Sequence, residues 1–327
     1  MSSIIQDSML RLVPAKRQHR PNGWISFNAV CCHHRGHKVD TRGRGGILIN
    51  APDTVAYSCF NCGFKTNWIQ GQYLNFKFRR LLKWLGADEN LIQKCVLAAM
   101  QLKNTESANT VVHQNSHTKF SPRALPSDIR PVHTEHPAWA YVRTRHIDLD
   151  QYEIFVSDMP EHCLNRRVII PFIWQNHVIG YTARAWDPTV RPKYHSQHDT
   201  GYVYNVDRQL PSSKFVIVTE GPIDAMSIGG VSVLGNSCSE AQADVIDGLN
   251  RDIIVVPDSD RSGSSLIDSA LEYGWSVSFP VWLETCKDIN EAVIKYGCLF
   301  VMKTIIMSRV DTRLKIELMR RRLYNNT

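Results

Sequence analysis

Three features are missing from this chain of 327 residues, and their absence narrows the class of protein that it can be. No run approaches the ~20 consecutive apolar residues that a membrane-spanning helix needs, so we expect no membrane partner. The N-terminal stretch has no apolar core long enough for a signal peptide, which predicts a cytoplasmic protein. No G-x-x-x-x-G-K-S/T string occurs either, so the chain encodes no P-loop motor.

The cysteines do not have the pattern of a disulfide framework. They number nine, an odd count, and they are unevenly placed. This usage favours metal ligation together with buried thiols. The formal charge of +7 fits a polyanionic partner, and the length allows two or three domains of usual size.

Acidic residues follow short apolar runs three times in the last third of the chain. Glu220 and Asp224 come after the first run, Asp258 and Asp260 after the second, and Asp288 after the third. We predict strands at the apolar runs, residues 215–218, 253–256 and 277–281. The stretches between them are long enough for helices, and strand–helix alternation predicts a parallel sheet with its site at the carboxyl ends of the strands.

The three acidic clusters are therefore expected at one edge of the sheet. Asp258 and Asp260 are two residues apart, so in an extended segment they point the same way. Carboxylates crowded in this manner are costly unless cations lie between them. Oxygen ligands favour Mg²⁺, or Mn²⁺ in its place.

A second cluster, near the N-terminus, carries ligands for zinc. Cys31-x-x-His34 and Cys59-x-x-Cys62 form two pairs separated by a loop of 24 residues, and two such pairs close a tetrahedral Zn²⁺ site. Strand patterns at 24–30, 47–49 and 55–58 complete the picture of a zinc ribbon. Cys32, His33 and His37 are alternative ligands within reach of the first pair. The second pair alone would also suit a redox function.

Other segments organise the chain around these clusters. Residues 74–100 have helical spacing broken near Gly86, and residues 101–130 are polar and without period, which is typical of a linker. Residues 165–172 and 178–184 predict a hairpin. The basic C-terminal stretch predicts an amphipathic helix that docks on a partner, follows nucleic acid or packs on its own domain. Trp24 and Phe60 are assigned to the ribbon core.

The acidic motifs resemble the Toprim domain, which bacterial-type primases share with topoisomerases and some nucleases. The residues that carry the resemblance are E-G-x-x-D-A from Glu220, D-x-D from Asp258 and K-D-x-N-E from Lys287. The C-F-N-C-G string from Cys59 and the R-x-x-I-P-F string from Arg167 extend it to primases. The length, the cysteine cluster and the K-D-I-N-E-A string are most similar to the primases of T4-type bacteriophages.

The resemblance implies roles for individual residues. Glu220, Asp258 and Asp260 would bind catalytic Mg²⁺, with Asp224 and Asp288 assisting. Template and triphosphate would be held by basic residues ahead of the Toprim motifs, namely Arg166, Arg167, Arg184 and Lys193. The chain departs from the family in its third motif, where many primases have a second acid and this sequence has Asn290.

The resemblance also implies a multidomain α+β and α/β architecture. The first part is a zinc-ribbon domain with packing helices at residues 1–100, followed by a flexible linker at 101–130. The RNA polymerase core follows, with a basic part at 131–212 and a Toprim domain with a parallel sheet at 213–300. A basic helical tail, residues 301–327, ends the chain. The function implied is template-directed synthesis of RNA primers in the cytoplasm, or in the host cytoplasm of a virus. The implied partners are single-stranded DNA, ribonucleoside triphosphates, a separate hexameric helicase in a primosome and a single-stranded-DNA-binding protein.

Two alternatives remain open at this stage. A Toprim nuclease or topoisomerase-like enzyme would use the same carboxylates to cut nucleic acid. A non-catalytic replication factor would keep the nucleic-acid-binding surfaces and have no use for Glu220.

Overall fold

The chain folds into two compact units, residues 1–113 and residues 114–327. The computed structural model describes residues 4–50, 54–105, 120–159, 163–259 and 263–325. Across these described ranges, no helix has the length and apolar character needed to cross a bilayer.

The first unit is built on a five-stranded sheet whose strands follow chain order and pair antiparallel. The strands are β1 (Arg17–His19), β2 (Trp24–Phe27), β3 (Gly45–Asn50), β4 (Thr54–Cys59) and β5 (Lys65–Ile69). Its helices are α1 (Ile4–Leu12), α2 (Phe76–Trp84) and α3 (Glu89–Thr105). The strands predicted at 24–30, 47–49 and 55–58 are thereby confirmed, although the first of them ends at Phe27.

Burial along β4 shows how the sequence places this sheet over its core. Val55, Tyr57 and Cys59 are buried, and the residues between them are half-buried, as expected for side chains that alternate across a strand. On α2, Leu81 and Leu82 are fully buried in the same core. The two predicted helices and their break are confirmed, and they cover the apolar face of the sheet.

The predicted linker, residues 101–130, differs from the structure at both of its ends. Its first residues continue α3. Near its other end, Phe120 is buried and packs edge-on against Trp174 and Tyr202 of the second unit. Residues 106–119 lie outside the described residues. Buried aromatic area therefore ties the later part of this segment to the second unit, although its composition is polar.

The second unit contains two sheets, of which the first is antiparallel with the order β10-β9-β8-β7-β6. Its elements are β6 (Ile129–Pro131), α4 (Ala138–Thr144), β7 (Phe155–Ser157), β8 (Arg167–Trp174), β9 (His177–Ala185) and β10 (Tyr194–Gln197). Gln175 and Asn176 join β8 to β9 with φ angles of 49° and 64°, as a type I′ hairpin requires. The predicted hairpin is confirmed.

The second sheet has the order β12-β11-β13-β14-β15, in which β15 alone of these strands runs antiparallel to its neighbour. Its strands are β11 (Phe215–Thr219), β12 (Val231–Ser232), β13 (Asp252–Val255), β14 (Ser276–Ser278) and β15 (Arg309–Val310). The helices that accompany it are α5 (Pro222–Ile228), α6 (Glu240–Asp247), α7 (Ser264–Tyr273), α8 (Ile289–Tyr296) and α9 (Cys298–Met307). The predicted parallel arrangement is confirmed, although the third strand ends at Ser278.

The C-terminal segment forms the predicted helix, α10 (Arg313–Asn325). Ile316 is 1% exposed, and the Arg320 guanidinium donates to both carboxylate oxygens of Asp268 on α7, at 2.6 and 3.1 Å. Among the roles considered for this segment, the structure shows packing on its own unit. The first part of residues 301–327 belongs to α9 and β15.

Candidate active site and metal centre

Four cysteines meet in the first unit. The Sγ atoms of Cys31, Cys32, Cys59 and Cys62 all lie within 4.8 Å of one another. The Cys31–Cys62 and Cys32–Cys59 pairs are 3.4 and 3.6 Å apart. Four sulfurs at about 2.3 Å from a zinc ion would be about 3.8 Å from each other, so the cluster has the dimensions of a tetrahedral zinc site.

Local backbone geometry brings these sulfurs together. Cys59 ends β4, and Gly63 follows with a φ of 71°, a conformation that favours glycine. The Gly63 N–H donates to the Cys59 carbonyl at 3.1 Å. Asn61 donates from its backbone to the Cys59 sulfur at 3.4 Å and from its amide to the Cys32 sulfur at 3.2 Å. N–H donors aimed at sulfur stabilise thiolates, which are the zinc-binding form.

The structure differs from the predicted ligand set at one position. His34 is exposed, and its ring stacks on Trp84 with centroids 5.0 Å apart and planes 6° from parallel. Cys32, which is fully buried, has the place that spacing predicted for His34. The reason is that the chain turns into a short 3-10 helix directly after Cys32, which carries the histidines away from the other sulfurs. The adjacent Cys31-Cys32 pair was the sequence signal for this arrangement.

Burial also shapes the acid–base properties of these thiols. It raises the pKa of Cys31 well above the usual range and that of Cys32 to about 11. Without a cation the two groups therefore stay protonated, and a bound divalent cation would replace those protons. A zinc ion held by all four sulfurs would have no open position, so its contribution would be to stabilise the fold.

The phenylalanine between the second pair of cysteines was assigned to the core, and this assignment is wrong. Phe60 is 87% exposed. The tight turn from Cys59 to Cys62 directs both sulfurs inward, which leaves the intervening side chains outside. Trp24 is half-buried at the start of β2.

In the second unit, carboxylates collect at the carboxyl edge of the parallel sheet. Glu220 follows β11 and Asp258 follows β13, and these two strands are neighbours. One oxygen of Glu220 accepts the Asp258 backbone N–H at 3.1 Å. The structure therefore brings together two of the residues predicted to bind Mg²⁺. Asp260, the third, lies outside the described residues.

Asp224 lies beneath this edge on α5 and is 9% exposed. Its Oδ1 accepts the backbone N–H of Asn290 at 2.9 Å. The pKa of Asp224 is raised to about 7, first by burial and then by the nearby charges of Asp288 and Asp258, while the Asn290 N–H and Arg184 oppose the shift. Three of the charges predicted for the site, those of Asp288, Asp258 and Arg184, therefore act on this buried carboxyl group.

Asp288 caps the N-terminus of α8, where its Oδ1 accepts the Glu291 N–H at 2.8 Å. Asn290, the departure in the third motif, is 1% exposed. Its amide donates to the Arg145 carbonyl at 2.8 Å and to the Ser227 hydroxyl at 2.9 Å. The Asn290 side chain therefore has a packing role that needs an amide, while its backbone N–H is the donor to Asp224.

Two basic side chains, Arg184 on β9 and Lys193 just before β10, lie close enough to these acids to interact with their charges. The pKa of Lys193 is lowered first by Arg184, then by burial and by Lys287 and Arg145, while Asp288 raises it. Arg184 donates to the Tyr194 hydroxyl. Its Nε is buried without a hydrogen-bond partner among the described residues, a state that is costly unless a ligand accepts that proton.

The other two predicted basic residues are placed differently. Arg167 is 3% exposed, and its guanidinium donates to four backbone carbonyls, those of Cys163, Ala183, Pro192 and Lys193. It therefore holds the segment that carries Lys193 and leads into β10, and it has no surface for a template. Arg166 is half-exposed and pairs with Asp187 at 3.0 Å.

Two cations of the site were not predicted as site residues. Arg145 follows α4, and its guanidinium donates to the Asn290 side chain at 3.0 Å across 145 residues of sequence. Lys287 belongs to the third acidic motif, so its neighbourhood was visible in the sequence. Nothing in the local sequence of Arg145 could have shown its distant partner.

The segment that forms the parallel sheet matches a known protein family. Residues 217–293 match the Toprim-like family. This Toprim-like domain carries Glu220, Asp224, Asp258 and Asp288. No curated protein sequence matches the chain.

The fold is similar to several solved structures. One contains the zinc-binding and RNA polymerase domains of the Aquifex aeolicus primase, with 16% identity, 95% of this chain and 87% of that chain covered, and a TM-score of 0.46. Another is the E. coli primase catalytic core, with 18% identity, coverages of 53% and 75%, and a TM-score of 0.42. A third is the primase fragment of the bacteriophage T7 primase-helicase protein, with 13% identity, coverages of 76% and 90%, and a TM-score of 0.39.

Proposed function

We propose that this chain is a DNA primase that joins ribonucleotides on a single-stranded DNA template. The observation that carries the proposal is the pairing of an acidic edge with a basic wall inside one unit. Glu220 and Asp258 lie at the ends of adjacent Toprim strands, and two cations interact with the other acids of this site, Arg184 with Asp224 and Lys193 with Asp288. Carboxylates for cations and opposed cations for phosphates are what phosphoryl chemistry requires.

In the proposed reaction, Glu220, Asp258 and Asp260 would hold Mg²⁺, which supplies charge stabilisation at the α-phosphate and at the leaving pyrophosphate. Arg184 and Lys193 would bind the polyphosphate through charge-assisted hydrogen bonds. The 3′-hydroxyl oxygen forms a bond to the α-phosphorus and loses its proton to water, the bond from the α-phosphorus to the bridging β-phosphate oxygen breaks, and pyrophosphate departs. Asp224 and Asp288 would assist by adding negative charge behind the first residues.

The first unit would contribute template binding. Phe60 exposes a ring for base stacking, and the neighbouring stretch is rich in cations, with Arg35, Lys38 and Arg42. Stacking platforms combined with cations are how single strands are held without double-helical geometry. Zinc on Cys31, Cys32, Cys59 and Cys62 would keep this surface folded.

The partners follow from the same proposal. A primase of the T4 type that lacks a P-loop needs a separate hexameric helicase to expose its template. A single-stranded-DNA-binding protein would cover the remaining strand, and the cytoplasm of a cell or viral host would supply ribonucleoside triphosphates. Loss of co-migration of chain and helicase on a forked DNA would contradict the helicase partnership.

The test is incorporation of radiolabelled ribonucleotides on single-stranded DNA with Mg²⁺, comparing the natural chain with Glu220→Gln. We expect short RNA products that fall by about 100-fold or more in the variant, because a carboxylate that binds the cation is lost. Glu153→Gln, at an exposed position ahead of β7, is the matched control and should keep full activity.

Other outcomes identify other functions. A template that is cut in Mg²⁺ would indicate a nuclease built on the same carboxylates. No product, even with helicase added, would indicate a non-catalytic replication factor.

A further inference from the structure

A cavity of about 320 Å³ lies beside the acidic edge, between the ends of β13 and β14 and the C-terminal helix α10. Phe279 and Trp282 contribute aromatic wall, Met319 and Leu323 contribute the wall on α10, and Arg322 is also in the lining. None of these residues has a place in the roles proposed above. The cavity therefore needs a separate explanation.

Both walls are held in place by contacts with neighbouring residues. The ring of Trp282 stacks with that of Tyr296, with centroids 6.4 Å apart and planes at 20°. On the other side, Arg320 pairs with Asp268 through two hydrogen bonds, and the Tyr324 hydroxyl donates to the Asp258 carbonyl at 3.3 Å. A cavity with supported walls can bind a ligand without first having to be rebuilt.

The cavity shares residues with the proposed catalytic site. Asp258, Lys287 and Asp288 line it, and Asp258 is also joined to Glu220 at the acidic edge. A ligand whose phosphates lie with cations on this edge would therefore have its remaining part within reach of the cavity. That part must be flat and largely apolar, because the wall presents aromatic rings and aliphatic side chains.

We propose that this cavity binds the base and ribose of a ribonucleoside triphosphate whose phosphates lie at the acidic edge. The inference rests on the proposed function, since it assigns the site for the incoming nucleotide. Ligand cavities in proteins run from about 300 to 1,000 Å³, so this one accommodates a single nucleoside. Stacking on Trp282 and Phe279 does not distinguish the bases, and we expect all four ribonucleotides to bind with similar affinity.

The test fills the cavity and measures binding without requiring polymerisation. Radiolabelled ATP with Mg²⁺ is equilibrated by dialysis against the full chain, with inorganic tripolyphosphate as a second ligand. Met319→Trp should weaken ATP binding by about tenfold or more, the worth of one stacked base, and should leave tripolyphosphate binding unchanged. Leu318→Trp, at a half-exposed position on the same helix, is the matched control and should change neither.

A second variant guards against misfolding of the first. Trp282→Ala removes the stacking surface instead of filling the space, and it should weaken ATP binding in the same direction. Unchanged ATP affinity in both variants would overturn the inference. An equal loss of ATP and tripolyphosphate binding would also overturn it, since the effect would then lie at the acidic edge.

The failure of this inference can be told apart from failure of the proposed function. Primer synthesis with an unchanged KM for ATP in Met319→Trp would support the primase function and would show that the cavity is not part of its nucleotide site. Selective loss of ATP binding in Met319→Trp, in a chain that makes no primers, would leave a nucleotide-binding cavity on a protein with a different activity.

Discussion

The two candidate metal sites differ in how far the protein completes them by itself. In the first unit, four sulfurs lie within 4.8 Å of one another. In the second unit, carboxylates share one edge of a sheet, yet no three of those described in residues 120–159, 163–259 and 263–325 approach each other so closely. We call the cysteine site closed, because four protein ligands complete it, and the acidic site open, because its described carboxylates do not.

The difference follows from the chemistry of the ligands. Protonated thiols are neutral and pack together inside a core, whereas carboxylates repel one another and require hydrogen-bond donors. The described carboxylates have such donors in the backbone, where Glu220 accepts from Asp258, Asp224 from Asn290 and Asp288 from Glu291. A zinc site that stabilises a fold is closed by protein ligands, and a Mg²⁺ site leaves positions for substrate phosphates.

The largest effect is expected at the closed site. Cys32→Ser should remove zinc and lower the free energy of unfolding of the first unit by on the order of 5 kcal/mol, because metal binding and folding are coupled. His34→Ala is the control, and it should retain one zinc per chain. Zinc content and urea denaturation measure both. Retention of zinc in Cys32→Ser together with its loss in His34→Ala would restore the ligand set expected from spacing.

Next in size is the introduction of an acid beneath the open site. Asn290→Asp would create the acid pair that many primases have in this motif, but it would remove two buried N–H donors and add charge beside Asp224. We expect a loss of about 2–4 kcal/mol in stability, measured by urea denaturation. A variant as stable as the natural chain, with tighter Mn²⁺ binding, would show instead that residue 290 reaches the acidic edge.

Replacing the acid Asp224, which lies beneath the same site, should raise the stability of the chain instead of lowering it. The pKa of Asp224 is raised to about 7, so between about pH 4 and pH 7 the folded chain binds a proton that the unfolded chain releases. Stability in Mg²⁺-free buffer is therefore lost as pH rises through this window. Asp224→Asn keeps an acceptor for the Asn290 N–H and has no such loss.

We expect Asp224→Asn to be more stable than the natural chain by about 2–3 kcal/mol at pH 8 and to differ little at pH 4. Denaturation at the two pH values measures this, and added Mg²⁺ should narrow the gap at pH 8. If the stability of the natural chain rose between pH 4 and pH 7 while that of Asp224→Asn did not, the raised pKa of Asp224 would be contradicted.

The smallest effect concerns the support of the open site by the C-terminal helix. Tyr324→Phe removes the hydroxyl that donates to the Asp258 carbonyl, and it should lower stability by about 1 kcal/mol. Mn²⁺ affinity, measured by electron paramagnetic resonance, should fall by a few fold. Leu314→Ala, at an exposed position of the same helix, should alter neither quantity, and zinc content should stay constant in both variants.

Much of the fold was visible in the sequence because its signals are local. Apolar runs followed by acids predicted the parallel strands and placed Glu220 and Asp258 at one edge, and local strand patterns predicted three of the five strands of the first unit. The turn at Gln175 and Asn176 predicted the hairpin. These features depend on side-chain period and on backbone preference within a few residues, which the sequence states directly.

Four details were decided by tertiary structure. Cys32 replaces His34 in the cysteine cluster because of the direction in which the chain leaves the first pair, and Phe60 is exposed because its turn directs the sulfurs inward. The roles of Arg167 and Arg145 depend on carbonyls and amides that lie far away in sequence.

The sequence by itself therefore determined which chemical groups this protein has and the secondary structure that carries them. Tertiary structure decided which of those groups meet. Burial, hydrogen-bond satisfaction and charge repulsion act between residues that are distant in the chain: Asn290 meets Arg145 across 145 residues. The cavity between Trp282 and Met319 exists because a helix from the end of the chain packs beside strands formed before it.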